Sequence, residues 1–306
     1  MRLGIHIPHM GPEAGPEAIT RVATAAEAAG YETLWTTDRL LFPASPRTPY
    51  AGTPDGSLPD VYRKVIDPLD ALTFAAASTK KIGLGTSILN MPFYNPVTLA
   101  RRLTSIDVLS GGRLRAGFGQ GWSADEFEAA GIDSKSRARR ADELMQVLHA
   151  MWKDNPAEFK GKYYTLPKSI IDLRPVQKPH PPIYFAAFAP ASMKRIVEYG
   201  DGWLPVAIPV DGMKQMWAGI LAMAKDAGRD TSKMEFVVRA NTMVTDAPLG
   251  EGRFIFTGSK DEIRADVAAC RDIGAAEVAF DPSFEAVAQS VDGYLGRVEM
   301  LREVAA

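Results

Sequence analysis

Short β-branched runs alternate with longer helical patterns from one end of the chain to the other, and this alternation constrains the fold more than any other feature: it is the pattern of βα units repeated around a parallel sheet. Eight units can be drawn. Their strands are predicted at Leu3–Ile7, Thr33–Thr37, Ile82–Ile88, Leu114–Phe118, Ile183–Phe188, Gly202–Val206, Phe236–Val244 and Val278–Phe280. Helices are predicted to follow each at Pro16–Ala29, Pro68–Thr79, Pro96–Leu109, Ala138–Trp152, Pro190–Tyr199, Gly212–Ala227, Lys260–Ile273 and Phe284–Val304. Asp67-Pro68 and Asn95-Pro96 pair an N-cap with proline at the first helical position, and Ser123-x-x-Glu126 and Ser259-x-x-Glu262 read as capping boxes. Eight units in 306 residues fit a closed (β/α)8 TIM barrel with insertion segments at its C-terminal mouth better than an open doubly wound sheet. Residues 1–306 are expected to form one domain.

Two stretches exceed the minimal unit. Residues 38–66, "DRLLFPASPRTPYAGTPDGSLPDVYRKVI", make a long Pro/Gly-rich connection after the second strand, a length that usually goes with function. Residues 155–182 suggest a small hairpin laid across the barrel, read either as a second cover for the site or as scaffold packing. The net charge of −2 and the absence of a long basic run argue against a nucleic-acid surface, and the Arg137, Arg139, Arg140 cluster reads as a solvated helix face. A start without a long apolar run, and no apolar stretch of membrane-spanning length, predict a soluble, cytoplasmic chain. The single cysteine, Cys270, falls on a helical pattern and reads as a buried helix-face residue; with only four histidines and no ligand spacing, no metal is expected.

In a barrel the chemistry lies where strands end. That directs attention to Asp38 and Arg39 after strand two, Thr86–Asn90 at strand three, "GFGQGW" (Gly117–Trp122) at strand four and "FAAFAPAS" (Phe185–Ser192) at strand five. The alternating glycines 117, 119 and 121 either admit a ligand close to the backbone or only shape a tight turn; their spacing is not that of a dinucleotide fingerprint, and no P-loop is present. Around Pro190, amides of Ala189, Ala191 and Ser192 either face an anion or merely start a helix. Neither a nucleophile elbow nor a cysteine–histidine pairing nor a glycosidase-type carboxylate pair is evident. Few polar groups mixed with Trp, Phe and Tyr suit a large aromatic cofactor that carries the chemistry itself.

The segments "GYETLWTTDRLLFP", "DPLDALTFAAASTKKIGLGTSILNMPFYNPVTLARRLTSIDVLSGGRLRAGFGQGWSADEFEAAGI", "FKGKYYTL", "PVQKPHPPIYFAAFAPASMKRIVEYGDGW" and "TGSKDEIRADVAACRDIGAAEV" resemble the luciferase-like monooxygenase superfamily, and within it the coenzyme F420-dependent oxidoreductases. The resemblance implies a cofactor ring at the C-terminal mouth, backed by a bulge at strand three that often contains a non-proline cis peptide, which here would fall at Ser87–Ile88. It makes Asp38 the acid that hydrogen-bonds the cofactor ring region, Thr86, Ser87, Ile88 and Asn90 the strand-three segment behind it, Gln120, Gly121 and Trp122 the strand-four segment, and Ala186, Ala187, Phe188 and Ala189 the run toward the phosphate. His9 falls near the end of strand one, either facing the substrate space or serving as a turn or core histidine. Many deazaflavin members carry histidine where this chain has Arg39. Arginine stays protonated, so it cannot be a general base, but it can stabilise developing negative charge or pair with Asp38. Trp122 stands where sugar-phosphate dehydrogenase relatives carry an acid, which weakens the case for such a substrate.

The resemblance therefore implies an F420-dependent oxidoreductase that moves a hydride between deazaflavin C5 and a small organic substrate, with Arg39, Asp38 and His9 as candidate catalytic residues. An FMN-dependent monooxygenase using molecular oxygen is the alternative, and a flavin-binding protein without turnover a third. A homodimer is expected from the same resemblance.

Overall fold

The computed structural model describes residues 1–306. In chain order the strands are β1 Arg2–His6, β2 Thr33–Thr36, β3 Gly83–Thr86, β4 Leu89–Asn90, β5 Leu114–Gly119, β6 Ala157–Lys160, β7 Thr165–Ser169, β8 Ile183–Phe185, β9 Gly202–Trp203, β10 Glu235–Asn241, β11 Met243–Val244, β12 Thr257–Gly258 and β13 Glu277–Asp281. The helices are α1 Pro16–Ala28, α2 Pro68–Ser78, α3 Pro96–Ser110, α4 Ala124–Ala129, α5 Arg137–Lys153, α6 Pro190–Tyr199, α7 Val210–Asp226, α8 Lys260–Asp272 and α9 Val291–Val304. Strands β1, β2, β3, β5, β8, β9, β10 and β13 pair in parallel around a ring that closes between β13 and β1. This is the expected (β/α)8 barrel, an eight-stranded closed parallel sheet with helices outside.

Local chemistry explains the element starts. The Asp67 carboxylate accepts from the Leu69 and Asp70 amides at 2.9 and 3.2 Å, and the Asn95 amide oxygen from Val97 and Thr98 at 3.0 and 3.2 Å, each ahead of a proline at the first helical position. Strand alternation then sorts the side chains. Leu3 and Ile5 point outward into the main apolar core, while Gly4 and His6 point inward. The barrel interior is filled by Trp35, Tyr184, Leu204, Val237 and Ala279. Glycine is required beside Trp35, because a Cβ at Gly4 or Gly85 would lie 2.5 or 2.4 Å from the indole. Cys270 is buried on α8, as expected.

The N-terminal end of the barrel is closed by charge. Fully buried Glu277 accepts from Trp35 Nε1 at 2.8 Å, Arg115 Nη1 at 2.7 Å, Thr33 Oγ1 at 3.1 Å and Arg2 Nε at 3.3 Å. Those four donors satisfy the buried carboxylate and tie the starts of β1, β2, β5 and β13 together, so the plug stabilises the scaffold.

Three departures from the predicted pattern matter. The third strand breaks into β3 and β4. The hairpin β6–β7 forms, but it packs on the outer helices and not across the mouth: the Glu143 carboxylate of α5 accepts from the Lys162, Tyr163 and Tyr164 amides, and Arg140 of α5 lies 4.6 Å from the Tyr163 ring. It is scaffold, whereas the 38–66 connection is docked over the mouth, with Arg47 tied to Asp125 at 2.6 Å and to Glu128. The final predicted helix begins only at Val291, because Pro282–Phe284 and Ala286–Gln289 form two 3-10 turns. No helix is long and apolar enough to cross a membrane.

Candidate active site

Asp38 locks the end of β2 to the break in strand three. Its Oδ2 accepts from the Asn90 amide at 2.8 Å, the Asn90 side chain donates back to the Asp38 carbonyl at 3.2 Å, and the Asp38 amide donates to the Ile88 carbonyl at 3.2 Å. Burial pushes the Asp38 carboxyl up to about 6, against the Asn90 amide and the Tyr94 hydroxyl, with the charge of Glu126 adding to the rise. The Ser87–Ile88 peptide bond is cis, at the position the resemblance implied. Its Ser87 carbonyl accepts from Arg239 Nη1 at 2.9 Å and from Thr37 Oγ1 at 3.3 Å, while Thr86 is buried and exchanges hydrogen bonds with Gly117.

Arg39 does not pair with Asp38. Its guanidinium meets Glu126 at 3.3 Å and lies between two rings, 5.1 Å from Tyr62 and 5.0 Å from Trp122. The side chain is 4% exposed, yet Nε and Nη2 have no hydrogen-bond partner. A buried cation with unmet donors is expensive unless something else accepts from it.

Glu126 is a site residue that sequence reasoning assigned to helix capping. Ser123 does cap α4, its Oγ accepting from the Glu126 amide at 3.4 Å, but the Glu126 side chain does not return to the cap. It turns instead toward Arg39 and accepts from the Leu40 and Leu41 amides at 2.7 and 3.4 Å. Burial raises its carboxyl, opposed by Arg39 and those amides.

The glycines of strand four serve the protein's own packing. A Cβ at Gly117 would lie 1.9 Å from the Thr86 carbonyl oxygen, and one at Gly119 would lie 2.1 Å from the Ile88 side chain. Only Gly121 adopts a left-handed conformation, at φ 71°. Gln120, between Gly119 and Gly121, has a buried, unpartnered Nε2, and Trp122 and Phe188 leave aromatic surface exposed. At the start of α6 the Ala189 amide donates to Ser192 Oγ and the Ser192 amide to the Ala189 carbonyl, so two of the three amides considered for an anion are already used. Ala186 is half-buried against the barrel interior, and Ala187 is buried, its carbonyl accepting from Trp203 Nε1 at 2.9 Å.

His9 is fully buried and faces backbone on both sides. Nδ1 lies 3.0 Å from the Ile7 carbonyl, and Nε2 lies 3.1 Å from the Thr37 amide and 2.8 Å from its carbonyl. Burial favours the neutral ring, which with its proton on Nδ1 donates to Ile7 and accepts from Thr37. In that arrangement it stitches β1 to β2.

A second charged group, absent from the sequence-based set, floors the mouth. Arg239 Nη2 meets Asp281 Oδ2 at 2.5 Å, and His6 Nδ1 lies 3.5 Å from the same oxygen. Burial dominates at His6, pulling it down to about 3; Asp281 reaches about 2 because His6 and Arg239 outweigh its own burial. No local motif marks this group, because its members end three separate strands.

The model for the luciferase-like monooxygenase family matches residues 1–248. An uncharacterized protein of Mycobacterium tuberculosis (strain H37Rv) is 30% identical over 221 residues, 69% of this chain and 76% of its own length. An F420-dependent glucose-6-phosphate dehydrogenase of Amycolatopsis mediterranei is 30% identical over 194 residues, 62% of this chain and 53% of that protein. Among solved structures, a monooxygenase from Streptomyces bottropensis superposes with TM-score 0.80 at 21% identity, covering 99% of this chain and 98% of the other. An F420-dependent secondary alcohol dehydrogenase in complex with an F420-acetone adduct reaches 0.77 at 19% identity, with 99% and 98% covered. The oxygenating constituent of a Baeyer-Villiger monooxygenase from Pseudomonas putida, in complex with FMN, reaches 0.75 at 15% identity, with 100% and 98% covered.

Proposed function

The chain belongs to the luciferase-like monooxygenase family, and on that premise we propose that it is an F420-dependent oxidoreductase transferring a hydride between deazaflavin C5 and a small organic substrate. The observation that carries this reading is Arg39: a buried guanidinium, fixed by Glu126 and two aromatic rings, with Nε and Nη2 unmet. Together with Gln120 Nε2, this donor set fits an electron-rich ring system carrying carbonyl and ring-nitrogen acceptors. The F420-dependent relative of Amycolatopsis mediterranei supports that choice of cofactor.

Bound deazaflavin would supply two-electron hydride chemistry. The chain's own residues supply placement and charge. Ser87, Ile88 and Asn90 would back the ring from the strand-three break that Asp38 fastens. Gln120, Gly121 and Trp122 would line its edge, and the Ala186–Ala189 run would follow it outward. Arg39 stays charged throughout, so it stabilises negative charge as this develops and takes no proton. Asp38, titrating near 6, is the group beside it that can hold or release one.

Absorbance and fluorescence titration of the purified protein with F420 and with FMN tests the proposal. Preferential binding of F420 is expected. Tight FMN binding without F420 binding overturns it in favour of an FMN-dependent monooxygenase.

A further inference from the structure

A cavity of about 460 Å³ opens at the mouth beyond the ends of β10 and β13. None of the candidate catalytic or cofactor-binding residues named from sequence lines it. Its walls come from the 38–66 connection and from the loop between β11 and β12, with Tyr50, Met243, Leu249, Phe254, Phe256 and Phe284 supplying the apolar surface. Met243, Leu249 and Phe254 are each about half exposed, at 50%, 51% and 56%, although they sit together around one concavity. Apolar side chains left open around a recess of this size are what a small-molecule site requires.

The cavity touches the candidate active site at two points. Arg239, in its lining, donates to the Ser87 carbonyl at the strand-three break, and Tyr50 packs 5.6 Å from the Trp122 ring that covers Arg39. Its two cations are matched inside the protein. Arg239 pairs with Asp281, and Arg253 grips Asp266 with two bonds of 2.7 and 2.8 Å and lies 3.5 Å from Glu262. A phosphate or carboxylate entering here would meet already neutralised arginines. The polar group turned to the cavity is neutral: Asn241 Oδ1 accepts from Arg239 Nε at 3.0 Å, which fixes the amide and leaves Nδ2 as a donor.

We infer that this cavity is the substrate pocket and that it takes an uncharged, mainly apolar molecule bearing one acceptor oxygen, a ketone or alcohol, oriented by Asn241. The inference rests on the mouth being the reaction site. It excludes a sugar phosphate as the substrate.

Binding of Nile red, a neutral dye, to the cofactor-free protein tests it. One saturable site is expected, with 2-decanone displacing the dye and glucose 6-phosphate failing to do so. Phe254→Asp, at an exposed position, is expected to weaken dye binding at least tenfold, and Asn241→Leu to weaken competition by the ketone roughly three- to tenfold, the range for one hydrogen bond. Circular dichroism checks that both variants fold, and Phe254→Asp alone suffices if Asn241→Leu does not. No saturable binding, unchanged binding by Phe254→Asp, or displacement by glucose 6-phosphate at lower concentration than by the ketone overturns the inference. Because the readout needs no cofactor, its failure is separate from a failure of the F420 titration.

Discussion

Ser123-x-x-Glu126 and Ser259-x-x-Glu262 are the same four-residue signature put to different uses. At α8 the box closes in both directions: Ser259 Oγ accepts from the Glu262 amide at 3.3 Å and Glu262 accepts from the Ser259 amide at 2.8 Å. The Glu262 carboxylate also takes the Leu249 and Gly250 amides, and these bonds, with Ser259's first among them, hold it down to about 2. At α4 only the serine half forms, and Glu126 goes to Arg39 with its carboxyl raised. One glutamate is stabilised in its charged form by the helix it starts. The other has its carboxyl raised by burial, which outweighs a distant arginine and two loop amides. The difference teaches that a capping motif specifies a helix start but not the destination of its acid.

Removing each acid should separate the two most sharply. Glu126→Leu leaves Arg39 buried without its carboxylate and should destabilise the protein by about 3–5 kcal/mol, lowering the thermal midpoint on the order of 10 °C. Adding Arg39→Met should restore most of that stability, since the uncompensated charge is gone, while turnover stays about 10²–10³-fold down. A double-mutant cycle on melting and activity measures the coupling, and independent, additive effects would break the proposed unit.

Asp38 gives the next largest effect, because burial raises its carboxyl, with the charge of Glu126 adding to the rise. A carboxyl raised to about 6 binds more protons folded than unfolded between about pH 4 and 6, so native stability falls as pH climbs through that window. Asp38→Asn should then gain about 1–3 kcal/mol at pH 7, with the gain gone near pH 4, and should weaken cofactor binding. A variant whose melting difference from the native protein does not change with pH would contradict the raised carboxyl. The smallest effect is expected at the closed box. Glu262→Gln keeps an acceptor for the Ser259 amide, so its midpoint should drop by roughly 2 °C or less at pH 7. Since the native carboxyl is depressed, its contribution is present above the ordinary carboxylate range, and the difference should vanish as pH falls toward about 2. A loss comparable to that of Glu126→Leu would erase the contrast.

The sequence carried the barrel, with its largest errors at the broken third strand and at the start of the last helix. Predicted Pro190–Tyr199 is the helix found, and predicted Leu114–Phe118 extends by one residue. The long connection after β2 was legible as a cover from its length and prolines. The 155–182 hairpin was legible as a hairpin, but its seat on α5 was not. In the candidate site, Asp38 and Arg39 could be singled out from the sequence because they follow closely on a strand. Arg239 and Asp281 carry no local signal, Tyr62 is one of many residues in the long connection, and Glu126 reads as a helix cap, so their meeting at the mouth was not legible.

What the chain by itself determined is therefore what short-range physics determines: hydrophobic period, caps, proline starts and, through them, the order of eight βα units. Only the closed barrel decided which charges meet. Arg39 finds Glu126 rather than the adjacent Asp38, and Arg239 finds Asp281 and the Ser87 carbonyl, because curvature brings the ends of distant strands together. Charge pairing falls off with distance in space, and spacing along the sequence does not encode that distance.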